Sequence, residues 1–199
     1  MKKLTFLMVA LGFFSCKNES VSFTSPQPTN QSELSTFPKK YQGYYENPIT
    51  AEDIIVYKTF VTRGMMIYDT LAMHELETIA PEVKQHYKAI SDSLYVNKTY
   101  HNDTVFSIQK GDVLKKLKGN LFLNIQNPQG NWGVTKFAVK NKILSISQIS
   151  TEKDIMLLDE ILEQESDSTQ QKVYTLTKKE FKEFVDKNGF QITETFLKQ

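Results

Sequence analysis

The chain is short of several residue types that function often needs. Its 199 residues include one cysteine, Cys16, one tryptophan, Trp132, and three histidines, and of its 24 basic residues only Arg63 is arginine. A lone cysteine excludes an internal disulfide framework and a multi-thiolate metal site. Arginine is the side chain that forks onto phosphates and base edges, so its near absence argues against nucleic-acid recognition. The 24 basic and 23 acidic residues almost cancel, giving a formal charge of +1, and there is no basic stripe or acidic tail. A polyanion is therefore not an expected partner. After Phe14, no apolar run approaches the roughly 20 residues that a membrane-spanning helix requires.

Catalytic motifs are missing too. His74-Glu75 would open a zinc-protease helix only with a second histidine at position 78, where Thr78 stands. His74, His86 and His101 are scattered, and no G-x-S-x-G elbow, dinucleotide loop or phosphate loop occurs. The sequence therefore suggests no cofactor, no metal and no catalytic residue. A carboxylate pair for glycoside hydrolysis depends on separation in space rather than in sequence. Most acids here fall in loops and on helix faces, the ordinary pattern of a solvated surface.

The amino terminus is the most informative stretch. Met1-Lys2-Lys3 is a short positive region, residues 4–14 are apolar apart from Thr5 and Gly12, and Ser15-Cys16 closes the run. That is the layout of a secretory signal, and eleven residues are too few to cross a bilayer. An ordinary signal peptidase needs small residues at −3 and −1, but −3 here is Phe13. Phe13-Phe14-Ser15-Cys16 instead resembles the lipobox of exported bacterial lipoproteins, with Phe in place of the usual Leu. The resemblance implies removal of residues 1–15 and acylation of Cys16. Two or three acyl chains hold a protein firmly where a single chain binds reversibly. Losing Lys2 and Lys3 would take the formal charge from +1 to −1.

Lys17 follows the cysteine where inner-membrane lipoproteins carry Asp, which implies an outer-membrane destination. Lys17-Asn18-Glu19 is similar to the export tag of surface lipoproteins in the Bacteroidota, one acid short, and periplasmic and surface faces both stay open. The same phylum O-glycosylates Asp-Ser/Thr followed by an apolar residue or Thr. Asp69-Thr70-Leu71, Asp92-Ser93-Leu94, Asp103-Thr104-Val105 and Asp167-Ser168-Thr169 fit that pattern. The resemblance marks Thr70, Ser93, Thr104 and Ser168 as acceptors, while the bland alternative is that Asp-Ser/Thr is a common turn and cap pair.

Residues 17–36 are rich in Ser, Thr, Gln, Asn and Pro, with Val21, Phe23 and Leu34 the only bulky apolar side chains. The composition predicts a flexible tether. Residues 37–199 then form one domain, for which no fold family is recognised; Gly43-x-Tyr45 only approaches the Gly-x-Trp opening of lipocalins. Runs at 104–109, 113–118, 121–127, 132–139 and 143–149 are strand-like, separated by turn residues at Gly111, Gly119-Asn120, Gly130 and Asn141. They predict an antiparallel meander, with Leu121, Leu123 and Ile125 alternating along one face of its third strand. Strands are also expected at 41–46, 53–61, 65–73, 171–176 and 190–197, and a helix at 80–90. Thr177-x-x-Glu180 reads as a capping box that opens a helix, and Thr151-x-x-Asp154 resembles another ahead of 155–162, where a buried strand is the alternative because the apolar run is continuous. The expected fold is β-rich α+β, a small barrel or strongly bent sheet with two or three packed helices.

Tyr41, Tyr44, Tyr45, Tyr57, Phe60 and Tyr68 crowd the first strands. Facing outward they would stack on a sugar or a partner, and facing inward they are core bulk, the commoner use. Together these features suggest a lipid-anchored envelope protein with a non-catalytic binding or structural domain. Its partner would be another envelope protein or a small apolar ligand. A hydrolase with carboxylates assembled in the fold, or an inhibitor or immunity-type lipoprotein, is the alternative.

Overall fold

The computed structural model describes residues 21–163 and 172–199. The elements run β1 (Ser22–Phe23), β2 (Gly43–Glu46), β3 (Asp53–Val56), β4 (Phe60–Ala72), α1 (Met73–Leu76), α2 (Pro81–Lys84), β5 (Lys88–Ala89) and β6 (Leu94–Ser107). They continue with β7 (Val113–Leu117), β8 (Asn120–Gln126), β9 (Trp132–Lys140), β10 (Ile143–Gln148), α3 (Glu152–Leu162), β11 (Val173–Tyr174), α4 (Lys178–Asp186) and β12 (Gln191–Lys198). All twelve strands join one sheet in the order β11-β1-β9-β10-β12-β2-β3-β4-β6-β5, with β8 also pairing to β9 and β7 pairing to β8. Among the described residues this path does not close into a barrel. Only β1 and β11 pair in parallel, which makes the sheet mixed. The protein is thus β-rich α+β.

The meander forms as its turns dictate. Lys118 and Gly119, and likewise Asn141 and Lys142, take positive φ between 48° and 81°. Two such residues make the tight turn whose twist suits antiparallel strands. Both capping boxes form, Thr151 with Asp154 and Thr177 with Glu180. Asn188, at φ 59°, ends α4. Gly189 follows because a Cβ there would lie 2.1 Å from the Phe184 ring.

Side-chain alternation sends β8 into two cores. Leu121 and Leu123 join Phe37, Tyr45, Ile54, Phe106, Leu144 and Phe196 in the first. Phe122 points the other way, into a second core with Phe23, Leu158, Tyr174, Phe181, Phe184 and Phe190. Leu158 of α3 and Phe181 and Phe184 of α4 are the helical members of that second core. The strand is therefore buried on both faces, whereas the alternation alone singles out one. Ile125, at its end, is exposed.

Three local expectations are corrected. The helix expected at 80–90 is a single turn, α2, followed by β5. Val83 stays exposed and α2 buries no residue, so nothing extends a helix that short peptides do not hold alone. The strand expected at 53–61 divides at residues 57–59, where the Tyr57 N–H donates to the Phe60 carbonyl. The gap expected between the strands at 53–61 and 65–73 is absent, because Arg63 and Gly64 lie inside the continuous β4.

The tether reading fails over residues 21–36. Phe23 is fully buried, its ring 6.4 Å from those of Tyr174 and Phe181, and Leu34 packs on the first core. Buried Asn124 accepts from the Gln27 N–H at 2.6 Å and donates to the Gln27 carbonyl at 2.9 Å. Buried Lys115 donates to the carbonyls of Pro26 and Pro28 at 3.0 and 3.1 Å. Desolvation pushes the Lys115 ammonium pKa down, with Glu33 acting in the opposite sense. Composition counts bulky residues, but this strap needs only Phe23 and Leu34 because two side chains of the meander satisfy its backbone.

Phe23→Ala should therefore cost about 3–5 kcal/mol in urea unfolding, as for other buried phenylalanines. A chain shortened to begin at Phe37 should lose cooperative unfolding. A cost below about 0.5 kcal/mol, the scale of a surface change, would mean that the strap peels away freely.

Candidate functional site

Beyond Gly64, β4 pairs with β6 alone, because β3 covers only its first residues. Residues 65–72 and 94–101 form a two-stranded arm that carries α1, α2 and β5 at its far end. On one face stand Met66, Tyr68, Thr70 and, across the ladder, Tyr100, Lys98 and Val96; on the other stand Met65, Ile67, His101 and Thr99. Ile67 is 45% exposed and Tyr68 58%, although isoleucine is among the residues most often buried. The outer edge of β6 meets β5 only at Tyr95 and Val96. The arm thus carries apolar side chains on both faces and unpaired backbone groups along two edges.

The crowded aromatics divide by strand parity. Tyr41 and Tyr45 are fully buried, and their hydroxyls donate to the carbonyls of Gly119 and Tyr41 at 2.6 and 2.7 Å. Burial pushes both phenols up to about 12. Tyr44, Tyr57 and Tyr68 are exposed, and Tyr57 stacks on Phe60 with ring centres 4.3 Å apart. The core reading therefore holds for Tyr41 and Tyr45 and is corrected for the exposed three.

Tyr100, which sequence reasoning missed, ties this outer face together. Its hydroxyl lies 2.9 Å from each oxygen of buried Asp53. Gly64 makes the contact possible, since a Cβ there would lie 2.1 Å from the Tyr100 hydroxyl and 2.6 Å from Asp53 Oδ1. Desolvation, the bond to Asp53 and the nearby Asp53, Tyr44 and Tyr57 charges push the Tyr100 phenol up to about 12. No local pattern links residues 47 positions apart.

The proposed acceptor residues fall unevenly. Cys16 and Ser168 lie outside the described residues. Thr70, Ser93 and Thr104 are all exposed, Thr70 on the tyrosine face of the arm, Ser93 just before β6, and Thr104 opposite Thr62, where β4 is still paired to β3. Of their aspartates, Asp69 accepts a hydrogen bond from Tyr87, and Asp103 lies 2.8 Å from His101 Nε2.

The single arginine holds two carboxylates. Arg63 binds Glu194 through both guanidinium nitrogens at 3.1 and 2.7 Å, and Glu52 at 2.6 Å. The guanidinium fills the space between the acids, where a hydrolase would place water or a glycosidic oxygen. This pair serves as a cross-sheet clamp. His74, His86 and His101 are all exposed. Among the described residues no three His, Cys, Asp or Glu side chains gather as a metal site. Nor is any helix among them long and apolar enough to cross a membrane. Comparison with protein-family models, curated proteins and solved structures finds no match to the chain.

The Tyr100–Asp53 contact has a pH signature. A phenol whose pKa is raised on folding contributes stability below its unfolded value near 10, and that contribution is lost as pH rises toward about 12. The stability difference between wild type and Tyr100→Phe should be constant below pH 10 and shrink above it. Gly64→Ala should behave like Tyr100→Phe. A difference that does not change between pH 9 and about 12 would show that the phenol does not hold Asp53.

Proposed function

We propose that this chain is an outer-membrane lipoprotein, acylated at Cys16, whose domain is a non-catalytic binding module for another envelope protein. The anchor reading rests on Met1-Lys2-Lys3, the apolar run and Phe13-Phe14-Ser15-Cys16. The binding reading rests on one observation, the arm. A two-stranded ribbon is marginal in water by itself, and exposed apolar side chains on both faces make it more so. Its unpaired N–H and C=O groups match an extended segment of another protein better than a small apolar ligand. A glycan on Thr70 would rise from the tyrosine face. The face of Met65 and Ile67, with the β4 edge beside it, is then the side left for a protein.

The same reading takes the sheet as strongly bent. Arg63 on β4 reaches Glu194 on β12 although β2 and β3 lie between them. In a flat sheet those outer strands would stand about 14 Å apart.

Expressed in a bacterium of the Bacteroidota, the wild type should take up labelled palmitate and fractionate with outer membranes, and Cys16→Ala should do neither. A photo-crosslinking residue at position 67 should capture one discrete protein, while the same residue at Lys179 on α4 should not. Equal palmitate labelling of Cys16→Ala contradicts the anchor, and identical crosslinks at both positions contradict the binding surface.

A further inference from the structure

We infer that the corner of the domain around Trp132 docks on the lipid headgroups, holding the arm away from the membrane. The inference rests on acylation of Cys16 and concerns which surface the anchor pulls down.

The argument is one of reach. Phe23 is fixed: it is fully buried, pairs with Tyr174 on one side and faces Trp132 on the other. Val21, two residues before it, packs against the second core. Five residues separate Cys16 from Val21, so a fully extended chain spans at most about 17 Å. A domain of this length is about 40 Å across. A leash shorter than the domain's radius cannot let it turn over freely. An acylated Cys16 in the headgroup layer therefore keeps the Val21 corner beside the bilayer. Had residues 17–36 been a tether, every face would have been free to meet the membrane; the strap removes that freedom.

The surface at that corner suits a lipid headgroup layer. A shallow recess of about 340 Å³ is lined by Val21, Ile125, Gln126, Asn127 and Gly133, all without formal charge. Ile125 and Val173 are exposed beside it, and Trp132, half-buried, is the chain's one tryptophan. Uncharged and weakly apolar surface loses little on approaching headgroups, and indole rings favour that boundary. In the order of the sheet, β9, β10, β12, β2 and β3 stand between β1 and β4, and the arm runs on past the last residue that β3 covers. Tyr68 is four residues beyond Gly64, the last β4 residue paired to β3. That places it about 13 Å further out along the strand.

The lone tryptophan makes the test direct. Full-length lipidated protein is reconstituted into phosphatidylethanolamine and phosphatidylcholine vesicles containing dansyl-phosphatidylethanolamine, and energy transfer from tryptophan to the headgroup dye is measured. A second protein, Tyr68→Trp in a Trp132→Phe background, reports from the arm, and Ile67→Trp in the same background gives another arm position. The loss of donor emission from Trp132 should be several-fold larger than from either arm position. Equal transfer, or stronger transfer from the arm, in protein that carries palmitate and binds the vesicles overturns the orientation and leaves the anchor intact. Vesicle binding that persists in Cys16→Ala overturns the anchor, and the inference with it.

Discussion

Over residues 121–124, β8 has no face left for water, and most of the molecule is arranged around that fact. Leu121, Leu123 and Phe137 point into one core, while Phe122 and Val134 point into the other. Tyr45, Ile54, Phe106, Leu144 and Phe196, from other strands of the sheet, pack against the first set. Helices α3 and α4, with the strap through Phe23, close over the second. Each core therefore forms a wall of its neighbour. Exposing Phe122 would leave a strand that is still buried on its other side, an arrangement with no stable half. Buried polar groups follow the same logic. Asn124 sits where β8 leaves the second core and spends its amide on the Gln27 backbone. Unpaired, either group would be costly.

What could be read from the sequence was what local chemistry decides. Gly119 and Asn141 announce tight turns, and Thr177-x-x-Glu180 a helix start, because those signals act within four residues. The sequence around Leu121-Phe122-Leu123 suggests alternation with one buried face, yet a continuous apolar run is what two buried faces require. The strap was illegible because its stability lies in partners nearly a hundred positions away, Lys115 and Asn124. The outer tyrosines were half legible. Their crowding was plain, but whether Tyr44 or Tyr45 faces inward depends on register. Tyr100 joins them only through Asp53 and a glycine that leaves room for its hydroxyl. The proposed anchor at Cys16 belongs to a different category, since its meaning would lie in processing rather than folding.

The proposed activity follows from the same geometry. A domain strapped down to Val21 has a fixed end, and an arm of exposed Met65, Ile67 and Tyr68 forms a free one. The proposed anchor would put a short leash at the first and so present the second in a set direction rather than on a floppy stalk. Arg63, bridging Glu52 and Glu194 where a reactive pair might otherwise stand, fits a molecule built to present a surface. Exposed apolar side chains on an open-edged ribbon are a liability in a free protein. They are intelligible when a partner covers them.

The central claim is that the two cores are one cooperative unit with β8 between them. Trp132 fluorescence reports on the second core and the strap, and far-ultraviolet circular dichroism reports on the whole sheet. In urea, the two signals should trace one coincident transition, and Phe122→Ala and Leu123→Ala should each move both curves together to lower denaturant. Separate midpoints for the two signals would contradict it. So would a Phe122→Ala protein in which only the tryptophan signal moves, because the second core would then melt as an independent layer.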